Sequence, residues 1–246
     1  AWDLDADYLA VFQRDGGVLD PERCLTALVE SAQAAGATVR GNVRVDSVTE
    51  TGGGVRVGSS DGTYEADRVV VAAGPWASSL LPELDNLLTV TRHVHCRVGT
   101  TDSSHVAPDA FPVFVMDARD GRHFYGLPAH RVPGVKVGRT DTDEAVVTAH
   151  PLDAPAAEES ASAERFVDDS LCGSVGVLAA SACPITVSPD GDYLVGRAPG
   201  HERVVVAAGM SGHGFKTAPA VGDFAAALTT YKTPPVDSAP FRLGLF

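Results

Sequence analysis

Residues 204–224 read Val-Val-Val-Ala-Ala-Gly-Met-Ser-Gly-His-Gly-Phe-Lys-Thr-Ala-Pro-Ala-Val-Gly-Asp-Phe, and this stretch decides the fold. Val204–Ala208 is an apolar, β-branched run, the pattern of a buried strand. Three glycines follow within six residues, Gly209, Gly212 and Gly214, and from Phe215 the spacing turns helical. A strand, a glycine-rich turn and a helix start let backbone N–H groups approach a ligand closely. The partial positive charge of the helix N-terminus suits a carboxylate or an electron-rich ring edge. His213 and Lys216 project from the same turn. An ordinary tight turn with a chance His and Lys has the same spacing, so both readings stand at this point.

Working outward, Arg68-Val-Val-Val-Ala-Ala-Gly74 reads as a second, fully buried strand, and Pro75-Trp76-Ala77 opens a short helix through Leu81. Asp20-Pro21-Glu22 is a helix start, with Asp as N-cap and Pro at the first helical position. Cys24, Leu25, Leu28, Val29 and Ala32 follow at helical spacing, and Gly36 closes the helix. Thr38–Arg40 and Asn42–Val48 read as strand, and Val55–Ala66 as a hairpin turning at Asp61-Gly62. Gly52-Gly53-Gly54 falls in a hairpin with no helix after it, so it is not a dinucleotide-binding turn.

Leu87–Val98 alternates, placing His93, His95 and Arg97 on a solvated or ligand-facing side of a long strand. Two strand histidines with no acidic third partner read as structural rather than metal-binding. Short strands at Phe111–Met116, His123–Gly126 and Val135–Gly138, divided by Asp, Gly and Pro turns, predict a separate antiparallel sheet. Pro155–Val175 reads as an acidic, solvent-exposed helix, Leu178–Thr186 and Tyr193–Gly196 as strands, and Ala218–Thr229 as an Ala-rich helix. The expected class is therefore α/β (α+β).

The net charge of −13 argues against nucleic acid or an anionic membrane as partner. No apolar run approaches the ~20 residues that span a bilayer, and the acidic start Ala-Trp-Asp-Leu-Asp does not read as a signal peptide. Cys24, Cys96, Cys172 and Cys183 are scattered without ligand spacing, so no metal site is expected. They read mostly as buried small hydrophobes in a reduced, cytoplasmic protein.

Gly209-Met-Ser-Gly-His-Gly-Phe-Lys216 resembles the C-terminal flavin-contacting turn of the monomeric sarcosine oxidase family, FAD-dependent oxidases of N-methyl amino acids in the D-amino-acid-oxidase-like superfamily. The resemblance runs from Gly16 to the C-terminus. It implies a partial FAD-binding, Rossmann-like domain over 1–85 and 186–246, and an antiparallel substrate domain over 86–185. It also implies FAD contacts from Val45, Gly74, Trp76, Gly209, Met210, Gly212, His213, Gly214 and Lys216. Trp76 reads from the residues alone as a core aromatic.

Three further residues gain roles by the resemblance. Cys183, with Thr186, Ser188, Pro189 and Asp190 after it, matches the family's pattern for a thioether to FAD. Lys136, in Gly134-Val-Lys-Val-Gly138, matches the lysine that activates O2, and Tyr125 matches an active-site tyrosine. Lys216 would also hold a substrate carboxylate. Ile185 and Thr140 stand where the family often has an aromatic and a histidine, so the pocket differs.

The implied reaction is oxidation of the C–N bond of a secondary amine or amino acid, with O2 as acceptor, giving imine and hydrogen peroxide. No strand followed by Gly-x-Gly-x-x-Gly opens the chain. The sequence thus leaves three routes: a fragment, a separate chain supplying the first βαβ unit, or a remnant that holds no FAD. A D-amino-acid or hydroxy-acid dehydrogenase on the same scaffold is the alternative enzyme. If the resemblance holds, strands near Val43, Val69 and Val204 share one sheet that lacks its central partner, leaving an exposed apolar groove.

Overall fold

The computed structural model describes residues 2–140, 144–145 and 152–243. The described chain runs α1 (Pro21–Ala34), β1 (Val45–Glu50), β2 (Val55–Ser59), β3 (Gly62–Ala66), β4 (Val69–Val71), α2 (Ala77–Leu80), β5 (Thr89–Thr100), β6 (Phe114–Asp117), β7 (His123–Leu127) and β8 (Val135–Arg139). The two-residue β9 (Glu144–Ala145), α3 (Ala157–Ser170), β10 (Ser174–Val187), β11 (Leu194–Arg197), β12 (Val204–Ala208) and α4 (Gly214–Thr229) complete it. These elements fall into two compact units. One is built from residues 2–18, 92–140 and 152–184, the other from 19–91 and 185–243.

In the first unit, an antiparallel sheet runs in the order β10-β5-β8-β7-β6, with β9 beside β5. Its two faces differ because side chains alternate along each strand. Cys96 and Val98 of β5, Phe124 of β7, and Val135 and Val137 of β8 point to one face, where α3 buries Ala163, Phe166 and Val167 against them. Phe124 and Phe166 stack with ring centroids 4.1 Å apart. The acidic residues of α3 take its other side, so this helix is amphipathic, with a buried apolar stripe.

In the second unit, β1, β2 and β3 form an antiparallel meander, and β11, β12 and β4 form a separate sheet. There β12 pairs antiparallel with β11 and parallel with β4, in the register Val204↔Val69, Val205↔Val70, Val206↔Val71. Val71, Val204 and Val206 join Ala77, Leu81, Leu84 and Leu194 in a buried cluster. On the other side Val195 and Val205 pack against Phe224 and Ala225 of α4. Asp20 caps α1 as its position predicts, its carboxylate accepting from the Arg23 amide at 3.2 Å.

Several expectations are corrected. The strand near Val43 is not in the sheet of Val69 and Val204, because β1 pairs with β2. Thr38–Arg40 is irregular, lying between Gly36 (φ +93°) and Asn42 (φ +58°), whose left-handed backbones break an extended run. β4 is not fully buried, since Val70 is 40% exposed on the open edge of its sheet. Trp76 is not a core aromatic: it is 50% exposed. Of the four cysteines only Cys96 is buried, and none is in a disulfide. Among the described residues no helix is long and apolar enough to cross a membrane, and no metal-binding cluster forms.

Candidate active site

The second unit brings two glycine turns together. Gly74 stands three residues after Val71, and Gly209 three after Val206, and those valines are register partners on parallel strands. Both turns therefore leave the carboxyl end of the same strand pair, where open α/β sheets bind ligands. Gly74 (φ +50°), Gly209 (φ +60°) and Gly212 (φ +79°) all hold left-handed backbone, which glycine adopts without strain. Gly214 lacks a side chain where a Cβ would lie 2.5 Å from that of Met210. That close approach lets the turn fold straight into the sixteen-residue α4.

The turn is anchored on its inner side. Met210 bridges to Val187, the Ser211 amide donates to Thr186 O at 2.9 Å, and the Ser188 amide donates to Ser211 Oγ at 3.3 Å. Thr186 and Ser188, part of the motif after Cys183, are thereby buried. His213 and Lys216 remain exposed at the start of α4, whose first N–H groups have no intrahelical acceptor. Val45 lies apart from these residues in the meander, on an exposed strand position.

Beside α4 the edge strand β4 borders an apolar groove of about 540 Å³, lined by Val70, Ala72, Ala207, Met210, Val221 and Ala225 among others. The apolar stripe of α1 is likewise uncovered: Leu25, Leu28 and Val29 are all exposed, and the helix buries no residue.

In the first unit, the sheet face away from α3 carries Cys183 on β10, His93 and Arg97 on β5, Lys136 on β8 and Tyr125 on β7. Tyr125 Oη lies 2.8 Å from His93 Nε2, and its ring is 5.9 Å from Lys136 Nζ. The Cys183 thiol points to His93 O at 3.7 Å. Burial lowers the pKa of Lys136, and the Arg97 charge adds to this, while Cys183 opposes it. Burial, with Lys136, His93 and Arg97 nearby, pushes the His95 imidazole down to about 4, so it is neutral at physiological pH. Three residues singled out from the sequence, Cys183, Lys136 and Tyr125, thus share one face. His93 and Arg97 join them there, and the only sequence signal for both was the alternation of β5.

The model of the FAD dependent oxidoreductase (DAO) family matches residues 3–228. The chain belongs to this family. Among curated DAO-family relatives, N-methyl-L-tryptophan oxidase of Salmonella typhi is 33% identical over 242 residues, 98% of this chain and 64% of that protein. The chain therefore spans less than two thirds of that relative's length. Among solved structures, the amino acid oxidase NikD matches with TM-score 0.73 at 21% identity, over 89% of this chain and 58% of its own. Glycine oxidase from Geobacillus kaustophilus matches with TM-score 0.66 at 22% identity, over 90% and 57%. These structures share the fold of this DAO-family chain.

The residues present fit the family's cofactor. The paired turns at Gly74 and Gly209 and the start of α4 form a strand–turn–helix cradle of the kind that receives an electron-rich group. Cys183 is half-buried and outside any disulfide, its thiol directed at His93 O on the face that also carries Lys136 and Tyr125.

Proposed function

We propose that this chain is the greater part of a FAD-dependent oxidase that oxidises the C–N bond of a secondary amine or amino acid, passing electrons to O2 and yielding imine and hydrogen peroxide. The observation that carries this reading is the single sheet face holding Cys183, Lys136 and Tyr125 together. FAD, when bound, supplies the two-electron acceptor. The Gly74 and Gly209 turns with Met210, Gly212, His213 and Gly214 would hold it, with Val45 and Trp76 as outer contacts and Cys183 as a thioether link.

The chain's own groups have separate tasks in this scheme. Lys136 places a half-buried positive charge where O2 acquires negative charge, which a preorganised cation stabilises. Tyr125, tethered to His93, would orient the amine through its hydroxyl. Lys216, at a helix start, would take the substrate's α-carboxylate. The reduced, cytoplasmic setting belongs to the same reading and agrees with four cysteines outside any disulfide.

A strand-and-helix segment outside these residues would complete the dinucleotide fold, carried by a longer form of the chain or by a partner. The open edge of β4, the apolar groove beside it and the bare stripe of α1 support that part of the proposal.

The test is a visible spectrum and intact mass on native and denatured protein, with and without that segment, alongside oxygen uptake on N-methyl amino acids. Flavin absorbance that stays with the denatured chain, and is released by Cys183→Ala, is the expected result. A completed protein that neither binds flavin nor consumes O2 with any N-methyl amino acid would overturn the reading.

A further inference from the structure

Arg97 and Lys136 are direct register partners on β5 and β8, so their side chains leave the same face of the sheet side by side. Both are partly buried. Like charges opposite each other on neighbouring strands repel, and burial strengthens the repulsion. The chain has 32 acidic residues against 19 basic ones, yet among the described residues neither cation makes an ion pair. What Arg97 does have is orientation: its Nη1 donates to Gly134 O at 3.2 Å, fixing the guanidinium plane while leaving other N–H groups unused. If Cys183 carries a thioether, its sulfur is uncharged, and the one group that favours the charged form of Lys136 among the described residues is lost.

We propose that Arg97 binds a second carboxylate of the substrate, so that the enzyme acts on an amino acid or amine bearing an additional acidic group. This rests on the oxidase reading above. In that reading Lys136 serves O2, which leaves Arg97, its neighbour on the same face, for an anionic group of the substrate. A guanidinium edge matches a carboxylate in a paired, planar geometry, which a lone ammonium does not. The adjacent His93–Tyr125 pair adds a polar border to the same face.

The experiment compares isosteric probes that differ in one charge. N-methyl-L-aspartate and N-methyl-L-asparagine serve as substrates, and succinate and succinamate as unreactive ligands, on the flavin-loaded protein. We expect succinate to bind about tenfold or more tighter than succinamate by calorimetry, with kcat/KM favouring the aspartate derivative by a similar factor. Arg97→Gln should bring both ratios near one, and Arg97→Lys should keep part of each. A wild-type ratio near one, or a ratio that survives Arg97→Gln, overturns the proposal. So does a fall in kcat/KM for O2 in Arg97→Gln with both ratios unchanged, which would assign Arg97 to oxygen chemistry. If neither derivative is oxidised while another N-methyl amino acid is, the acidic-substrate proposal is overturned and the oxidase reading stands; if no N-methyl amino acid is oxidised, the oxidase reading fails, while the succinate ratio still decides for or against Arg97.

Discussion

The hydroxyl of Tyr125 on β7 reaches His93 Nε2 on β5 at 2.8 Å, spanning the strand β8 that lies between them. It can do so because Gly138, the register partner of both Tyr125 and His95, has no side chain. A Cβ there would lie 2.6 Å from Tyr125 Cε1 and 2.8 Å from its hydroxyl. The ring thus lies across the sheet, its long axis over backbone, and its polar end is held by a histidine only 7% exposed. One missing side chain sets the position of a residue we assign to substrate.

Removing the hydroxyl should therefore be felt in stability as well as turnover. Tyr125→Phe leaves a buried imidazole nitrogen without this partner, which costs about 1 kcal/mol. Urea unfolding should show that loss, and oxygen uptake on an N-methyl amino acid should fall about tenfold. Unchanged stability would mean that the Tyr125–His93 bond contributes nothing in solution.

Gly138→Ala tests the same arrangement from beneath. The added methyl must displace the Tyr125 ring, with an overpacking cost of about 1–3 kcal/mol. The penalty should shrink when Tyr125→Ala is made as well, because the clash then disappears. A double-mutant cycle on unfolding free energies measures that coupling, and strict additivity would disprove the contact.

His95 predicts a pH dependence. Burial, with Lys136, His93 and Arg97 nearby, holds its folded pKa at about 4, below the ordinary 6.5. As pH falls from 6.5 towards 4, the unfolded chain takes up a proton that the folded state resists, so this contribution to stability is present above 6.5 and lost on acidification. The full shift corresponds to about 3 kcal/mol, and solvent reaching the partly exposed ring reduces this to about 1–2 kcal/mol. His95→Gln should remove that part of the slope in denaturant unfolding between pH 7 and 4.5, and an identical slope in the variant would refute the assignment.

What the sequence made legible was local. Val204–Ala208, the glycine turn after it, the Asp20 cap and the Asp61-Gly62 hairpin each rest on neighbours within a few residues, and each stands where its pattern placed it. What it hid depended on distant partners. Trp76 has the composition of a core aromatic, but burial is decided by what packs over it, and half of its surface is exposed. Val43 has the composition of a strand but lies next to Asn42 in left-handed backbone, so pairing begins only at Val45. The opposition of Arg97 and Lys136, and the space Gly138 gives Tyr125, are matters of register, and no alternation in a single strand reveals which residue of another strand will lie opposite.

The apolar groove gives the last prediction. Val70, Ala72 and Ala207 border it, and Val70 sits on the edge strand, with β12 as its partner on one side and, among the described residues, none on the other. If a strand from a further segment pairs there, Val70→Arg places a charge in the seam and should abolish both association with that segment and flavin retention. The same substitution should barely change the unfolding of the isolated chain, since Val70 is already 40% exposed there. Co-purification of the variant with the completing segment, read by native mass and visible absorbance, separates the outcomes. A Val70→Arg protein that keeps segment and flavin together would show that the segment docks elsewhere.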